Sequence, residues 1–264
     1  MRIQQRLASP ALRSVIRSFS ERRASLGKQV VTAPLPARPD QFIEVYLADR
    51  YRVSQDDGPP DLAPETVIVG PQSYRRTRLL MSGEIHVFTI RFQPSGFHRL
   101  FGTPMTDLAD QGAVARDVIG GQVDPVRDAI ALAASFDGRV AVAERWIGER
   151  LASAGPEDEV GRLAAMLDRS GGRLRIDALA QRAQMSERQF TRRFAVQVGL
   201  TPKLFARTVR FNAVLDAKAR SPRVSWTELV HRWGYADQSH FIRDCHALAG
   251  GAPAGFFPEW LQGR

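Results

Sequence analysis

SERQFTRRFAVQVGLTP, Ser186 to Pro202, is the stretch on which the reading of the chain turns. Phe190, Phe194 and Val198 recur every four residues, which places them on one side of a helix. Arg188, Thr191, Arg192 and Ala195 fall on the other side. Ser186 and Gln189 fit a capping box, and Gly199 and Pro202 mark the end. Such a helix packs an aromatic spine inward and turns arginine and threonine outward. That edge suits a nucleic-acid groove or plain solvent, because basic residues on exposed helices are common.

The flanking sequence separates the two. Ile176, Leu179, Ala180 and Ala183 predict a second amphipathic helix, 176–183, and only Gln184 and Met185 precede the cap at Ser186. Two short helices joined by so tight a turn form a helix-turn-helix. The pattern then returns. Trp226, Leu229, Val230 and Trp233 repeat the helical spacing, Gly234 fits a left-handed cap, and Asp237 caps a helix with Phe241, Cys245 and Leu248 inside. Gln238, Ser239, Ile242, Arg243 and His246 lie on its outer side. Phe190, Phe194, Gly199 and Pro202 stand 51 positions before Phe241, Cys245, Gly250 and Pro253, a register that marks an internal repeat. Two units in one chain offer two recognition helices, 186–198 and 237–249, for two successive major grooves. Between them Lys203 to Arg220 carries an apolar stripe without Gly or Pro, and predicts one long helix with Pro202 in its first turn. Ser225 and Glu228 predict a further capping box.

Charge follows the same division. The chain of 264 residues carries a net +9. From Asp158 onward there are 17 Lys and Arg against 10 Asp and Glu, and the first 157 residues hold 20 against 18. A basic domain attracts phosphate whatever the base sequence. The single cysteine excludes an internal disulfide and suits a reducing cytoplasm, and its helical position makes Cys245 a core residue. No run of about 18 apolar residues predicts a membrane span, and the basic N-terminus lacks the apolar stretch of a secretory signal.

Residues from about 158 to 260 resemble the DNA-binding domain of the AraC/XylS family of bacterial transcription regulators. The resemblance rests on Gly234, Tyr235, Asp237, Ser239, Phe241, Arg243, Gly250, Pro253 and Phe256, and on LAQRAQMSERQFTRRFAVQVGLTPKLF in the first unit. It implies an α+β two-domain protein: a β-rich, barrel-like domain over 1–137, a linker helix over 138–157 and an all-α DNA-binding domain over 158–264. It also implies that Arg188, Gln189, Thr191 and Arg192, with Gln238, Ser239, Ile242 and Arg243, face base edges. Lys203, Arg207 and His246 then face phosphate. Double-stranded DNA is the implied partner, with a small-molecule effector, RNA polymerase and a second copy of the chain as further ones. Three positions depart from the family pattern. Gln184 stands where glycine is frequent, which costs roughly 1–2 kcal/mol in a left-handed conformation. Cys245 stands in place of an aromatic, and His246 in place of a more basic residue.

The first 137 residues read as strands with short helical pieces. Ala11 to Ser18 is a short helix or the lead into a strand, and Phe42 to Leu47 and Thr66 to Val69 are strands. Glu84 to Phe92 is the clearest strand, with Phe88, Ile90 and Phe92 on one face and Val87, Thr89 and Arg91 on the other. Phe97 to Phe101 starts a helix after Pro94-Ser95-Gly96, Ala141 to Ala154 reads as the linker helix, and Glu159 to Arg169 as the first helix of the DNA-binding part. Ile90 to Gly102 resembles a segment of the small β-barrel sensor domains found ahead of this kind of DNA-binding domain. There Arg91 meets an anionic ligand inside a barrel, or simply pairs with a carboxylate on the surface. His86 and His98 are the only histidines in the first 157 residues and lack metal-ligand spacing, so no metal is expected. His86 is expected to face away from Arg91. No cofactor loop or nucleophile motif is present, and the chain does not read as an enzyme. The rivals to a DNA-binding regulator are a small-molecule module whose tandem helices bind protein, and an enzyme built on the barrel.

Overall fold

The computed structural model describes residues 2–73 and 77–262, and side chains up to 258. The strands are β1 (Arg2–Leu7), β2 (Ile16–Leu35), β3 (Phe42–Tyr46), β4 (Arg52–Gln55), β5 (Asp61–Leu62), β6 (Thr66–Val69), β7 (Thr77–Phe92) and, after helix α1 (Gly96–Phe101), β8 (Gly112–Val114). Helices α2 (Ala115–Ile119), α3 (Val123–Leu132) and α4 (Phe136–Ser153) close this half. All pairings are antiparallel, in the order β1-β2-β7-β3-β6-β8, with β4 on the first half of β7 and β5 beyond it.

The long β2–β7 pair is the spine of the sheet. Its register shifts on either side of Gly27, which pairs with Gly83; their φ values are +54° and +74°. Left-handed backbone in a strand costs little only at glycine, and bulges bend the strands that carry them. The two ends of the sheet, β1 and β8, do not pair with each other. The domain is therefore β-rich as expected, but its sheet is open where a barrel-like closure was expected. Six exposed residues in β1 and only three in β8 supply no matched edges to close it.

The two faces of β7 part as the alternation requires. Phe88, Ile90 and Phe92 enter a core with Ile16, Phe19, Phe97 and the α4 residues Val140, Ala143 and Ile147. Thr89 and Arg91 face the opposite side, toward a cavity. The helix read as a linker thus begins earlier, at Phe136 under a Ser135 cap, and one side of it is core of the first half. On that side Glu21 is almost fully buried. It accepts from Arg139 on α4 at 3.2 Å and from Arg23 at 2.6 Å, with His86 at 3.4 Å. His86 therefore lies on the side away from Arg91. Burial, then the Arg23 charge, holds its imidazole below the ordinary range.

The second half is helical: α5 (Glu159–Arg169), α6 (Ile176–Arg182), α7 (Glu187–Val198), α8 (Pro202–Arg220), α9 (Trp226–Arg232), α10 (Gln238–Ala249) and α11 (Pro253–Gln262). Two cores form. One gathers Leu163, Leu167, Leu179, Phe190 and Phe194, and the other Leu229, Tyr235, Phe241, Cys245 and Phe256. Burial pushes the Cys245 thiol up to about 12, in keeping with a packing role.

Glu21→Ala leaves the buried Arg139 without its counter-charge. Breaking a buried pair from one side costs about 3 kcal/mol. The urea midpoint should fall by that measure with an unchanged slope. A midpoint equal to the parent's would show that this cluster contributes nothing to stability.

Candidate nucleic-acid interface

The two turns that lead into α7 and α10 are built alike. In the first, the amides of Ala183, Gln184 and Met185 donate to the carbonyls of Leu179, Gln181 and Ala180. In the second, Trp233, Gly234 and Tyr235 donate to Leu229, His231 and Val230. The middle residue is left-handed in both, Gln184 at φ +55° and Gly234 at φ +80°. Ser186 then makes both bonds of its capping box with Gln189, and Asp237 accepts from the His240 amide at 2.7 Å. The box expected at Ser225 is made only in half. Ser225 accepts from the Glu228 amide, while the Glu228 carboxylate turns to Arg232 at 2.7 Å. An ion pair one helical turn on competes with the reciprocal bond.

Phe190, Phe194 and Val198 are fully buried on α7, and Phe241, Cys245 and Leu248 on α10. Their outer edges are the residues read from the sequence. Arg188, Gln189 and Arg192 are exposed and Thr191 half-buried; Gln238, Ser239 and Arg243 are exposed and Ile242 half-buried. Neighbouring arginines are spoken for: Arg193 pairs with Asp158, Arg182 with Glu159, Arg175 with Asp177 and Arg232 with Glu228. Arg188, Arg192 and Arg243 form no ion pair with any described residue. Gln238 is steadied from α9 through the Thr227 hydroxyl at 3.3 Å.

The three expected phosphate contacts differ from one another. Lys203 is exposed in the first turn of α8, and His246 is exposed in the last turn of α10. Arg207 has its Nε committed to Asp244 at 2.6 Å, although 41% of its side chain stays exposed. Asp244 is itself buried and accepts from the Tyr235 hydroxyl at 2.9 Å. The carboxylate thus joins α8, α10 and the second turn. Its spacing in the sequence looks like that of any helical acid, so nothing there marks it.

A cavity of about 840 Å³ lies between the sheet face and helices α5 and α8. Arg91 lines it, paired with Asp40 through Nε at 2.8 Å and Nη2 at 2.5 Å. The pair lies on the cavity wall and not on the surface, where a carboxylate partner was expected. Burial opposes the Asp40 charge, but Arg91 and then Arg17 hold its carboxyl below the usual range. Arg22 pairs with Glu44 at 2.6 Å, and Arg17 crosses to Asp168 on α5. Arg38 differs. It stacks over the Phe42 ring at 4.7 Å, and its buried Nε has no hydrogen-bond partner among the described residues. Burial lowers its pKa, against the pull of Glu44 and Asp40. Nothing in the sequence singles out Arg38 except its place in the proline-rich run PLPARP, Pro34 to Pro39.

A β-rich domain ahead of two repeat-related helix-turn-helix units defines a two-domain DNA-binding regulator. Residues 179–258 match the family model described as Helix-turn-helix domain, and residues 4–113 match a Domain of unknown function (DUF6597). The helix-turn-helix match falls within the stretch that resembles the AraC/XylS DNA-binding domain. Among solved structures it is similar to ToxT from Vibrio cholerae O395, at 9% identity and a TM-score of 0.50 over 92% of this chain and 98% of that one. A second ToxT crystal form from Vibrio cholerae gives 10% identity and 0.51 over 98% and 99%. The AraC-like transcriptional activator CuxR aligns over 83% of this chain and 87% of its own at 10% identity, with a TM-score of 0.27. At such identities the likeness to ToxT is one of fold. No curated protein matches the sequence.

Gln184 and Gly234 hold the same backbone position in the two turns. A Cβ on Gly234 meets nothing nearer than Arg173 Cδ at 3.5 Å, so conformation and not clash sets the cost of a side chain. Gln184→Gly should stabilise the protein by about 1 kcal/mol and Gly234→Gln should destabilise it by a similar amount. Thermal unfolding of the two variants reads the opposite signs directly.

Proposed function

We propose that the protein reads one face of a double-stranded operator with α7 and α10 in successive major grooves, and that its β-rich half takes a small anionic effector. The observation that carries the first part is the set of arginines left without carboxylate partners on the outer faces of two repeat-related helices. Arg188, Arg192 and Arg243 have the donor geometry for guanine O6 and N7, and the apolar tip of Ile242 suits a thymine methyl. Gln189, Thr191, Gln238 and Ser239 add shorter polar contacts. Lys203 and His246 flank these faces as phosphate contacts, and Arg207 contributes through the edge of its guanidinium that Asp244 does not occupy.

The cavity supports the effector reading. Arg17, Arg22 and Arg91 are matched to carboxylates, whereas Arg38 and the exposed Arg169 are not paired with an acid among the described residues, and apolar side chains such as Leu79 and Val67 share the wall. An acid with an apolar body fits that division. Arg38→Ala should abolish the thermal shift that such a carboxylate produces. A panel of small carboxylates, none of which shifts the melting of the parent protein, would remove this part of the proposal.

For DNA reading, binding-site selection on randomised duplexes compares two variants. Arg192→Ala should relax the preference at one base pair, at a cost of about 1–3 kcal/mol there. Lys203→Ala should weaken all sites alike and lower the salt slope by about one. An identical preferred site and an identical loss for both would refute the division of roles. Salt-insensitive or absent duplex binding would favour the protein-interaction reading.

A further inference from the structure

The link between β2 and β3 does more than join two strands. It runs from Pro36 to Gln41, and Pro36 and Pro39 stiffen it. Ala37 is fully buried in the second helical core, among α8 and α10 side chains. Its amide donates to the Leu248 carbonyl on α10 at 2.7 Å, and its carbonyl accepts from Asn212 Nδ2 on α8 at 2.8 Å. Four residues on, Gln41 is also buried. Its Nε2 donates to Pro94 O at 2.5 Å and to the carbonyl of Val198, the last residue of α7, at 3.1 Å. Arg38, between them, exchanges both backbone bonds with Gln72 at 2.8 Å, which fixes the segment to the β-rich half. The C-cap of α7 sits against that half as well: a Cβ on Gly199 would fall 2.6 Å from Pro71 Cγ.

One short, stiff segment therefore ties the C-terminal ends of both recognition helices. Four residues span at most about 14 Å, so the two anchors cannot drift far apart. The helical half has its own connections, through α8 and through the Trp233 ring, which lies close to Gly171. Only three residues separate helix α8 from the end of α7, and α8 holds α10 through Arg207 and Asp244, so the segment is a second tie, made from the β-rich half, between helices that α8 already joins.

We propose that residues 36–41 are a positioning element for DNA reading, with Ala37 and Gln41 as positioning residues that set the angle and spacing between the two recognition helices from outside the DNA-binding domain. The consequence for operator spacing rests on the DNA-reading proposal above; the consequence for helix geometry does not.

The test uses the full chain with thiol-reactive spin labels at Glu187→Cys and Ala247→Cys. Both positions are exposed and lie outside the proposed base contacts, and Cys245 is buried away from the reagent. Dipolar spectroscopy should give a narrow distance distribution in the parent and at least a twofold broader one in Gln41→Ala with Asn212→Ala. Either single variant serves if the pair unfolds. Ile130→Ala, a core truncation remote from the segment, should lower the melting temperature without broadening the distribution. In parallel, duplexes with one or two base pairs inserted between the two halves of the selected site should bind the parent at least tenfold more weakly. The same insertions should cost the double variant threefold or less. Unchanged width in the double variant, or equal broadening in Ile130→Ala, overturns the positioning role. Broadening with undiminished spacing discrimination overturns its part in DNA reading. Broadening in a protein whose parent selects no site supports the positioning role and defeats the DNA-reading proposal instead.

Discussion

Helix α8 has to satisfy two cores at once. Phe205 and Val209 pack into the first, and Phe211, Val214 and Leu215 into the second, all of them buried. The helix can do so because nothing interrupts it for 19 residues. Thr201 caps its start, and Pro202 occupies a first-turn position where the missing amide costs no bond. Helices α7 and α10 are each held by an aromatic spine: Phe190 packs on Phe194, which meets Phe205 edge-on, and Phe241 packs on Phe211. With those rings inward, the 3.6-residue period leaves Arg192 and Arg243 no direction but outward. Exposure of the basic edge is thus a consequence of core packing, and the edge needs no separate device to present it.

The helical half was legible because its information is local. Caps, turns and spines lie within seven residues of one another, and the repeat states them twice. Even the strain at Gln184 could be read, since its position in the turn follows from its neighbours. The β-rich half is different. Strand β2 carries Arg22, Arg23, Ser25 and Lys28 within its 20 residues, and its register slips on both sides of Gly27. The slip between Ser25 and Gly27 is of one residue and exchanges the faces of the residues beyond it, so no single alternation runs through the strand. Strand β1 is exposed along its whole length and shows no pattern at all. Helix α4 hid its role for another reason: Trp146 and Ile147 mark one apolar side equally well in a linker and in a domain core.

The cavity was least legible, because its chemistry depends on pairings over long distances in sequence. Arg17 meets Asp168, Arg22 meets Glu44 and Arg91 meets Asp40. Only after those carboxylates are assigned does Arg38 stand out. Arg91 looked the stronger candidate in the sequence, for its alternating strand and its neighbours, and Asp40 accounts for its charge. Arg38 sits between prolines in a link with no periodicity, so only the three-dimensional arrangement reveals that its guanidinium has a ring beneath it and no bonded acid among the described residues.

These two levels meet in one place. The residue before Arg38 is part of the second helical core, and the residue three after it holds the end of α7. Arg38 itself projects into the cavity while its backbone is bonded to Gln72. On the proposal that Arg38 holds an anionic effector, the bound charge would act on a segment that has little slack, because prolines flank it and backbone bonds fix it on both sides. Such a segment would respond to a load by shifting as a unit, and its two anchors lie at the ends of α10 and α7. Coupling of this kind requires no chain of side chains across the protein. It requires only that the ligand favour one of two placements of a single link, and the shift it produces is bounded by its differential affinity for them.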